Sequence, residues 1–241
     1  MSFNPFHQFE IVPIVKISLM GHDISFTNSA LFMMLAVLLV SSFFYLASRG
    51  ASVIPGKIQN AAEMIYQFVD STLYESSGHN AKPFLPFIFT LFTFILTLNL
   101  LGMTPYGFTV TSHVIVTFAI SLLILLLVIV VGFVKHGTHF LTLFLPKGTP
   151  LWLAPILCII ELLSFLSRPI SLSVRLAGNM LAGHVLLKVL ASFVVIMGVG
   201  GILPIPLMII IVGFEIFVAI LQAYIFTMLA CVYLNDAINL H

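Results

Sequence analysis

One arginine lies inside a segment that is otherwise apolar enough to cross a membrane. Arg175 stands in the middle of the stretch from Leu151 to about Val199. Arginine keeps its proton at any pH that a protein meets, and an arginine at the centre of a bilayer costs roughly 2.5–3.5 kcal/mol on insertion scales. Because such a cost is rarely carried without a use, a permanent cation with titratable neighbours at membrane depth indicates ion movement.

Other polar residues of this segment share a face with Arg175. On an ideal helix with about 100° per residue, the following fall within roughly 40° of it: Glu161, Ser164, Arg168, Ser171 and Asn179. Polar residues within membranes usually face a protein interior or a water-filled cavity. The serines could equally serve to hold helices together, but two arginines and a glutamate on one stripe favour a functional site.

The last apolar segment carries a second set of polar residues. Glu215, Gln222 and Tyr233 share one of its faces at helical spacing. If the two long segments form an antiparallel hairpin that turns near position 199, Glu215 lies level with His184 and Gln222 lies level with Arg175. The hairpin would then pair an acid with an imidazole and place an amide beside the cation.

The helical phase of His184 conflicts with that arrangement on one flat interface. His184 lies nine residues after Arg175, which on an ideal helix places it on the opposite face, near Lys188. A bend or a local unwinding near Ala177–Gly178 or Ala182–Gly183 would reconcile the two pairings.

The composition sets the class of protein. A hydrophobic content of 61% and a charged content of 7% exclude a water-soluble domain, since soluble domains carry about 25% charged residues. We therefore predict an all-α integral membrane protein, and the net charge of +1 gives no indication of nucleic-acid binding. Cys158 and Cys231 lie in apolar segments, where two cysteines are more typical of small buried residues than of a disulfide or a metal pair. We expect neither a metal ion nor a cofactor.

The elements that must position these residues follow from hydropathy. A spanning helix needs about 20 apolar residues, and the sequence predicts five membrane segments at about 29–47, 84–102, 114–134, 151–199 and 202–233. The last two are too long to cross upright, so they must tilt strongly, bend or break, and Pro155 and Pro169 offer places to bend. Residues 54–74 mix apolar and polar positions at helical spacing, which predicts an amphipathic helix at the interface or against a soluble partner. We expect the whole chain, 1–241, to form one membrane domain.

Lysine and arginine placement predicts the orientation. If the N-terminus is outside, the outer segments hold only Lys16, and the inner loops hold Arg49, Lys57, Lys82, Lys135 and Lys147. This asymmetry fits five crossings with the C-terminus inside. Glu161 then lies toward the inner side of the membrane, and His184 and Glu215 lie toward the outer side. A fixed cation between the two groups suits a pair of offset half-channels, because its charge blocks a direct proton leak.

Four stretches of the chain resemble subunit a of the rotary ATP synthase, and the similarity covers essentially the whole chain. They are Glu161–His184, Gly213–Tyr224, Asn99–Phe108 and Tyr233–His241. The resemblance implies a stator subunit of the Fo sector whose last two long, strongly tilted helices form a hairpin along a ring of c subunits. Many bacterial members have Glu where His184 stands and His where Glu215 stands. The exchange seen here is typical of the mitochondrial and alphaproteobacterial branch, which implies a mitochondrial or alphaproteobacterial inner membrane.

The resemblance also implies a role for each matching residue. Arg175 would be the essential cation that faces the ring carboxylates, with Asn179 and Gln222 in support. His184 and Glu215 would line the outer half-channel, and Glu161 would line the inner one. Further possible members of the path are Arg168, Ser171, Tyr233 and Asp236. The subunit would work with the c-ring and b-type peripheral stalk subunits, bind no nucleotide and catalyse no reaction by itself, while coupling the proton-motive force to ATP synthesis.

Three other functions fit the sequence less well. A secondary ion transporter with a buried charged site would show inverted repeats, which the sequence lacks. A haem-binding redox subunit needs histidines that face each other across spans, but His113 lies at the outer end of a span while His136 and His139 lie in an inner loop. A structural scaffold without conduction leaves Arg175 unexplained.

Overall fold

The computed structural model describes residues 10–16, 18–19, 22–23, 25–50, 52–104, 107–144 and 153–239. The predicted start of the fourth membrane segment at Leu151, the inner-loop Lys147, the Pro105–Tyr106 part of one family-like stretch, and the last two residues of the chain lie outside these ranges.

The described part of the chain is built from α-helices. They are α1 (Asn28–Ser48), α2 (Lys57–Ser77), α3 (Leu85–Gly102), α4 (Val114–His136), α5 (Ala154–Met197) and α6 (Pro204–Ile238). Within the described ranges, α1, α3, α4, α5 and α6 are long and apolar enough to cross a membrane. The prediction of an all-α membrane protein with about five membrane segments is confirmed.

Short elements connect these helices. Stretches of 3₁₀-helix occur at His79–Phe84, Val110–Ser112, Gly137–Phe144 and Gly198–Ile202. Before α1, two small antiparallel pairs form: β1 (Pro13–Val15) with β4 (Phe26–Thr27), and β2 (Ser18–Leu19) with β3 (His22–Asp23). The sequence patterns did not predict these strands, because each is only two or three residues long and shows no clear alternation.

The ends of the long helices have local causes. Thr27 caps α1, since its Oγ1 accepts a hydrogen bond from the backbone N–H of Ala30. Helices α5 and α6 each carry a proline in the first two positions, where the missing N–H costs nothing. Helix α5 ends at Gly198, which has a φ of +55° that favours glycine. The Gly-rich segment predicted as a turn is therefore the 3₁₀ connection between α5 and α6.

Helix α5 is continuous over 44 residues. At about 1.5 Å per residue it is about 66 Å long, roughly twice the thickness of an apolar bilayer core. Pro169 lies inside it without ending it. Of the three options that the length allowed, a break does not occur, and tilting or bending must accommodate the excess length.

The core forms where α6 packs against α2, α3, α4 and α5. Its fully buried side chains include Val69, Leu73, Ile88, Ile95, Val128, Leu176, Met180, Phe226 and Leu234. Helix α2 joins the core along one face only, and its Ser77 hydroxyl donates to the Cys231 carbonyl of α6 over 2.7 Å. The amphipathic helix is therefore anchored to α6, which lies at the centre of the bundle.

Candidate functional site

A polar seam between α4 and α5 sets the rotation of α5. Thr117 and Ser173 bring their hydroxyl oxygens within 3.0 Å of each other, and the Ser173 hydroxyl donates to the Val114 carbonyl over 3.1 Å. One turn away, the Ser121 hydroxyl donates to the Pro169 carbonyl over 3.0 Å. These buried hydrogen bonds hold one side of α5 against α4, so the opposite side of α5 is left open.

Arg175 lies on this open side. Its side chain is exposed, and no carboxylate of the described residues lies close enough to form an ion pair with it. Exposed apolar side chains lie beside it, since Ile170 and Val174 are each 53% exposed, and the exposed polar residues Ser171 and Asn179 lie one turn before and after it. A Cβ added to Gly178, one turn away, would meet nothing within 4 Å. The cation is therefore presented on an apolar surface, where it can attract an anionic group of a facing partner.

The predicted polar stripe follows the same side of α5. Ser164, Ser171 and Asn179 are exposed, whereas Glu161 and Arg168 are partly buried. The stripe was expected to face a protein interior or a cavity, but in this chain most of it faces outward. The reason is that α4 and α6 pack against the other side of α5, where small residues such as Ser173 and Ala177 are buried.

His184 and Glu215 form the buried part of the site. The His184 Nδ1 and Glu215 Oε1 atoms are 3.7 Å apart, and the two side chains are only 11% and 6% exposed. The predicted pairing of these residues is therefore confirmed as a contact. The distance exceeds that of an ordinary hydrogen bond, so a small movement or one water molecule is enough to link the two groups.

Gly183 explains how this contact forms without distorting the helix. A Cβ at Gly183 would collide with the Glu215 carboxylate, so the carboxylate occupies the space of the absent side chain beside α5. No unwinding occurs at 177–183, where α5 remains helical. The predicted position of His184 on the face of α5 opposite Arg175 is correct. It does not prevent the contact with Glu215, because Arg175 faces the open side while His184 faces the bundle.

A cavity extends from Glu215 of the buried pair to Asn179 of the polar stripe. It has a volume of about 350 Å³, and its lining includes Gly183, Ala182 and Phe214. One water molecule takes up about 30 Å³ of liquid, so the space is large enough for several. The cavity reaches Asn179, which lies one turn from Arg175. It therefore links the Glu215 carboxylate to the neighbourhood of the exposed cation.

A second polar cluster lies about two turns from Arg175 toward the start of α5. Arg168 is 3.5 Å from the Asp236 carboxylate and 4.0 Å from the Glu161 carboxylate. Its guanidinium also lies 5.0 Å from the centre of the Tyr233 ring. The side chains of Arg168, Asp236 and Glu161 are 27%, 34% and 39% exposed. The tertiary fold thus gathers four predicted residues into one partly solvated group.

A model of the ATP synthase A chain family matches residues 30–235. The chain belongs to the ATP synthase A chain family. It is accordingly a multi-pass membrane subunit of the proton-translocating Fo part of ATP synthase, and it associates with other subunits of that complex. This membership decides against the secondary ion transporter.

Gln222, predicted to lie level with Arg175 and to support it, does not contact Arg175 in the described part of the chain. It is buried on α6, with 3% exposure, two turns from Glu215. No hydrogen bond joins it to Arg175 in the described part of the chain. The two residues lie on different surfaces, since Arg175 faces the open side of α5 and Gln222 faces inward.

Asn99 is a buried polar residue that the sequence indicates only as part of a family-like stretch. Its side chain is 0% exposed, and its Nδ2 donates to the Ala219 carbonyl of α6 over 3.1 Å. Ala219 lies one turn from Glu215. Among the described residues, Asn99 Oδ1 and Glu215 Oε1 have no hydrogen-bond partner, and the same is true of Thr111 Oγ1 and His113 Nε2. Buried polar atoms are normally satisfied, so water is the expected partner of these atoms.

His113 lies at the start of α4, next to the same 3₁₀ segment as Thr111. Its ring stacks on Phe108 with 5.2 Å between the ring centres. Burial lowers the pKa of His113 below its ordinary value, because the charged form loses hydration. Burial therefore favours the neutral form of His113. The polar character of 99–113 was visible in the sequence as an asparagine, threonines and a histidine between two apolar spans.

Proposed function

We propose that the chain translocates protons through two offset half-channels at its interface with a rotating c-ring. The proton-motive force would thereby be coupled to ATP synthesis. The observation that carries the proposal is the position of Arg175: an exposed, uncompensated cation on an apolar face, between a buried acid–imidazole pair and a partly solvated acidic cluster. A continuous pore has no use for a fixed cation at that point, because it would repel the protons that pass.

The open face of α5 and α6 supports a ring partner. Large apolar side chains cover it, including Ile170, Val174, Phe214 and Phe217, of which the phenylalanines are 64% and 59% exposed. Gly178 and Gly213 on these helices leave open space where a Cβ would meet nothing within 4 Å. A facing helix can therefore approach closely and bring an acidic side chain to Arg175.

The electrostatics of that approach set the direction of proton release. A carboxylic acid in lipid stays neutral, because burying its charge is costly. At about 4 Å from Arg175 and an effective dielectric constant near 20, attraction favours the ionised form by roughly 4 kcal/mol, or about a thousandfold. A ring carboxyl group would release its proton near Arg175 and regain one before it returns to lipid. Rotation follows from these two requirements.

The outer half-channel is proposed to run along Glu215 and His184. The 350 Å³ cavity beside them and the unpartnered buried atoms of Asn99 and Thr111 support a hydrated route on this side. An imidazole can donate a proton from one ring nitrogen and accept one at the other, which suits proton relay. Asn179 at the end of the cavity would hydrogen-bond the water that carries protons toward the ring.

The inner half-channel is proposed to pass through the cluster of Glu161, Arg168, Tyr233 and Asp236. Its partial exposure supports contact with water, and its two carboxylates offer proton acceptors. Arg168 is held by both carboxylates, so it neutralises part of their charge and keeps them close together. Ser171 lies between this cluster and Arg175 on the exposed stripe and would complete the inner route.

The wider setting follows from the same family. We place the chain in a mitochondrial or alphaproteobacterial inner membrane, with the N-terminus outside and the C-terminus inside. The His184/Glu215 exchange supports the branch, and the positive residues of the predicted inner loops support the orientation. The c-ring would occupy the open face of α5 and α6, and b-type stalk subunits would bind elsewhere on the bundle.

Replacement of Arg175 tests the proposal. Arg175→Ala in the assembled complex should abolish ATP-driven proton pumping into membrane vesicles, because the ring carboxylates lose the charge that ionises them. Assembly should be retained, since Arg175 is exposed and forms no ion pair within the described residues. Lys135→Ala, which removes an exposed cation at the end of α4, is the matched control and should pump normally. Normal pumping by Arg175→Ala would overturn the proposal.

A further inference from the structure

A larger cavity lies away from Arg175, between the end of α1 and the amphipathic helix α2. Its volume is about 650 Å³. The side chains that shape it are Phe44, Tyr45, Gln59, Glu63, Tyr66 and Phe89. Helix α1 ends at Ser48 and is followed by Arg49, so the cavity lies where a membrane span meets the polar boundary of the bilayer.

Aromatic rings form much of its wall. The rings of Phe44 and Phe89 meet edge to face with 4.9 Å between centres, and the Tyr66 ring lies 5.9 Å from that of Phe89. Tyr45 and Tyr66 are 60% and 48% exposed. Groups of aromatic rings bind organic ammonium ions through their π faces, and tyrosines are enriched at the level of lipid head groups.

A carboxylate lines the cavity, and an unpaired cation lies next to one of its tyrosines, within the part of the chain that the structure describes. Glu63 opens into it from α2, and its Oε1 accepts a hydrogen bond of 2.7 Å from Gln59. Arg49 lies at the end of α1 with its guanidinium carbon 6.0 Å from the centre of the Tyr45 ring. No ion pair joins Arg49 to Glu63 in the part of the chain that the structure describes. A ligand that carries both a positive and a negative group matches this arrangement.

The apolar surface of α1 continues from the cavity along the span. Leu38, Leu39 and Leu46 are 62%, 45% and 59% exposed. Acyl chains can lie along this surface while a polar head group remains in the cavity. A small zwitterion without acyl chains could not cover this apolar surface.

We propose that this cavity binds the head group of a zwitterionic phospholipid. The ammonium group contacts Glu63 and the rings of Tyr45 and Tyr66, and the phosphate lies toward Arg49. The bound lipid fills the space between α1 and α2 and holds the amphipathic helix against the first span. This site is separate from the proton path, so the inference does not depend on the proposed function.

The test is lipid retention by the whole complex. The purified ATP synthase is incubated with short-chain phosphatidylcholine or with phosphatidylglycerol of the same chain length, and bound lipid is counted by native mass spectrometry. We expect preferential retention of phosphatidylcholine. Glu63→Gln should reduce that retention about tenfold, which corresponds to about 1.4 kcal/mol. Tyr66→Leu should reduce it similarly, and Tyr66→Phe should restore it because the ring remains.

Glu75→Gln is the matched control, because Glu75 is an exposed carboxylate of α2 that does not line the cavity. It should retain phosphatidylcholine like the unmodified complex. Equal retention of the two lipids would overturn the proposal, as would unchanged retention by Glu63→Gln. A helix of another subunit that crosslinks to position 66 and excludes lipid from it would also overturn the proposal.

Discussion

At the scale of single residues, the site keeps a permanent positive charge apart from the groups that can exchange protons. Arg175 is exposed on an apolar face and cannot lose its proton. His184 and Glu215, 3.7 Å apart and almost fully buried, are both able to exchange protons. The exposed Arg175 suits the attraction of an anion, and the buried pair of His184 and Glu215 suits proton relay. The two tasks therefore occupy opposite sides of the same helix.

Glu215→Gln separates the shape of this residue from its titration. The amide keeps the volume of the side chain but cannot exchange a proton, so passive proton uptake from the outer side should fall by on the order of a hundredfold. The measurement is the pH change inside vesicles under an imposed potential. Glu215→Asp should retain part of the flux, and Glu75→Gln on α2 should leave it unchanged. An unaltered flux in Glu215→Gln would remove Glu215 from the path.

At the scale of elements, the contact between α5 and α6 depends on one missing side chain. The Glu215 carboxylate occupies the position where a Cβ of Gly183 would be. Glycine within a helix normally lowers its stability, so its presence here is explained by close packing and not by helix propensity. The opposite case is Gly178 on the same helix, where a Cβ would meet nothing within 4 Å.

A pair of glycine replacements tests this difference. Gly183→Ala should destabilise the folded subunit by about 1–3 kcal/mol through overpacking and should slow proton uptake, since Glu215 must move away from His184. Gly178→Ala should be neutral or slightly stabilising, because alanine favours a helix over glycine. Thermal denaturation of the purified subunit, without the facing ring, would compare the two variants. Equal effects would show that Gly183 has no special packing role.

At the scale of the whole molecule, the hairpin of α5 and α6 leaves an apolar face uncovered. Much of α5 and α6 is exposed in the isolated chain, including Phe214, Phe217 and Val174. An apolar face without a protein partner can contact lipid, but contact of the charged Arg175 with lipid costs free energy. Both features support the proposed docking of a partner that brings a negative charge.

Gly178→Trp tests this surface without disturbing the fold of the chain itself. The indole would project into open space, so insertion and the amount of subunit in the membrane should stay unchanged. Docking of the ring should be obstructed, which we expect to lower ATP-driven pumping and co-purification of c subunits. Gly56→Trp is the control, because a Cβ there also meets nothing within 4 Å, at the start of α2. Normal pumping by Gly178→Trp would place the ring elsewhere.

Much of the site could be predicted because its signals are local. Membrane segments are runs of apolar residues, so hydropathy alone located the helices that carry Arg175, His184 and Glu215. Helical periodicity correctly placed His184 opposite Arg175. The antiparallel hairpin correctly brought His184 to Glu215. The two results are compatible because Arg175 and His184 face different surfaces and do not share a single flat interface.

The sequence by itself therefore determined the membrane class, the helices, the order of the charged residues along α5 and α6, and the family resemblance. Only the tertiary structure decided that Arg175 faces outward, that Arg168 joins Asp236, and that Asn99 is buried against α6. The physical reason is that periodicity specifies which residues share a face of one helix. Which neighbouring helix packs against that face depends on how the helices are rotated and how they cross. Here the buried contact between Thr117 and Ser173 and the space left by Gly183 determine the rotation and crossing of α5.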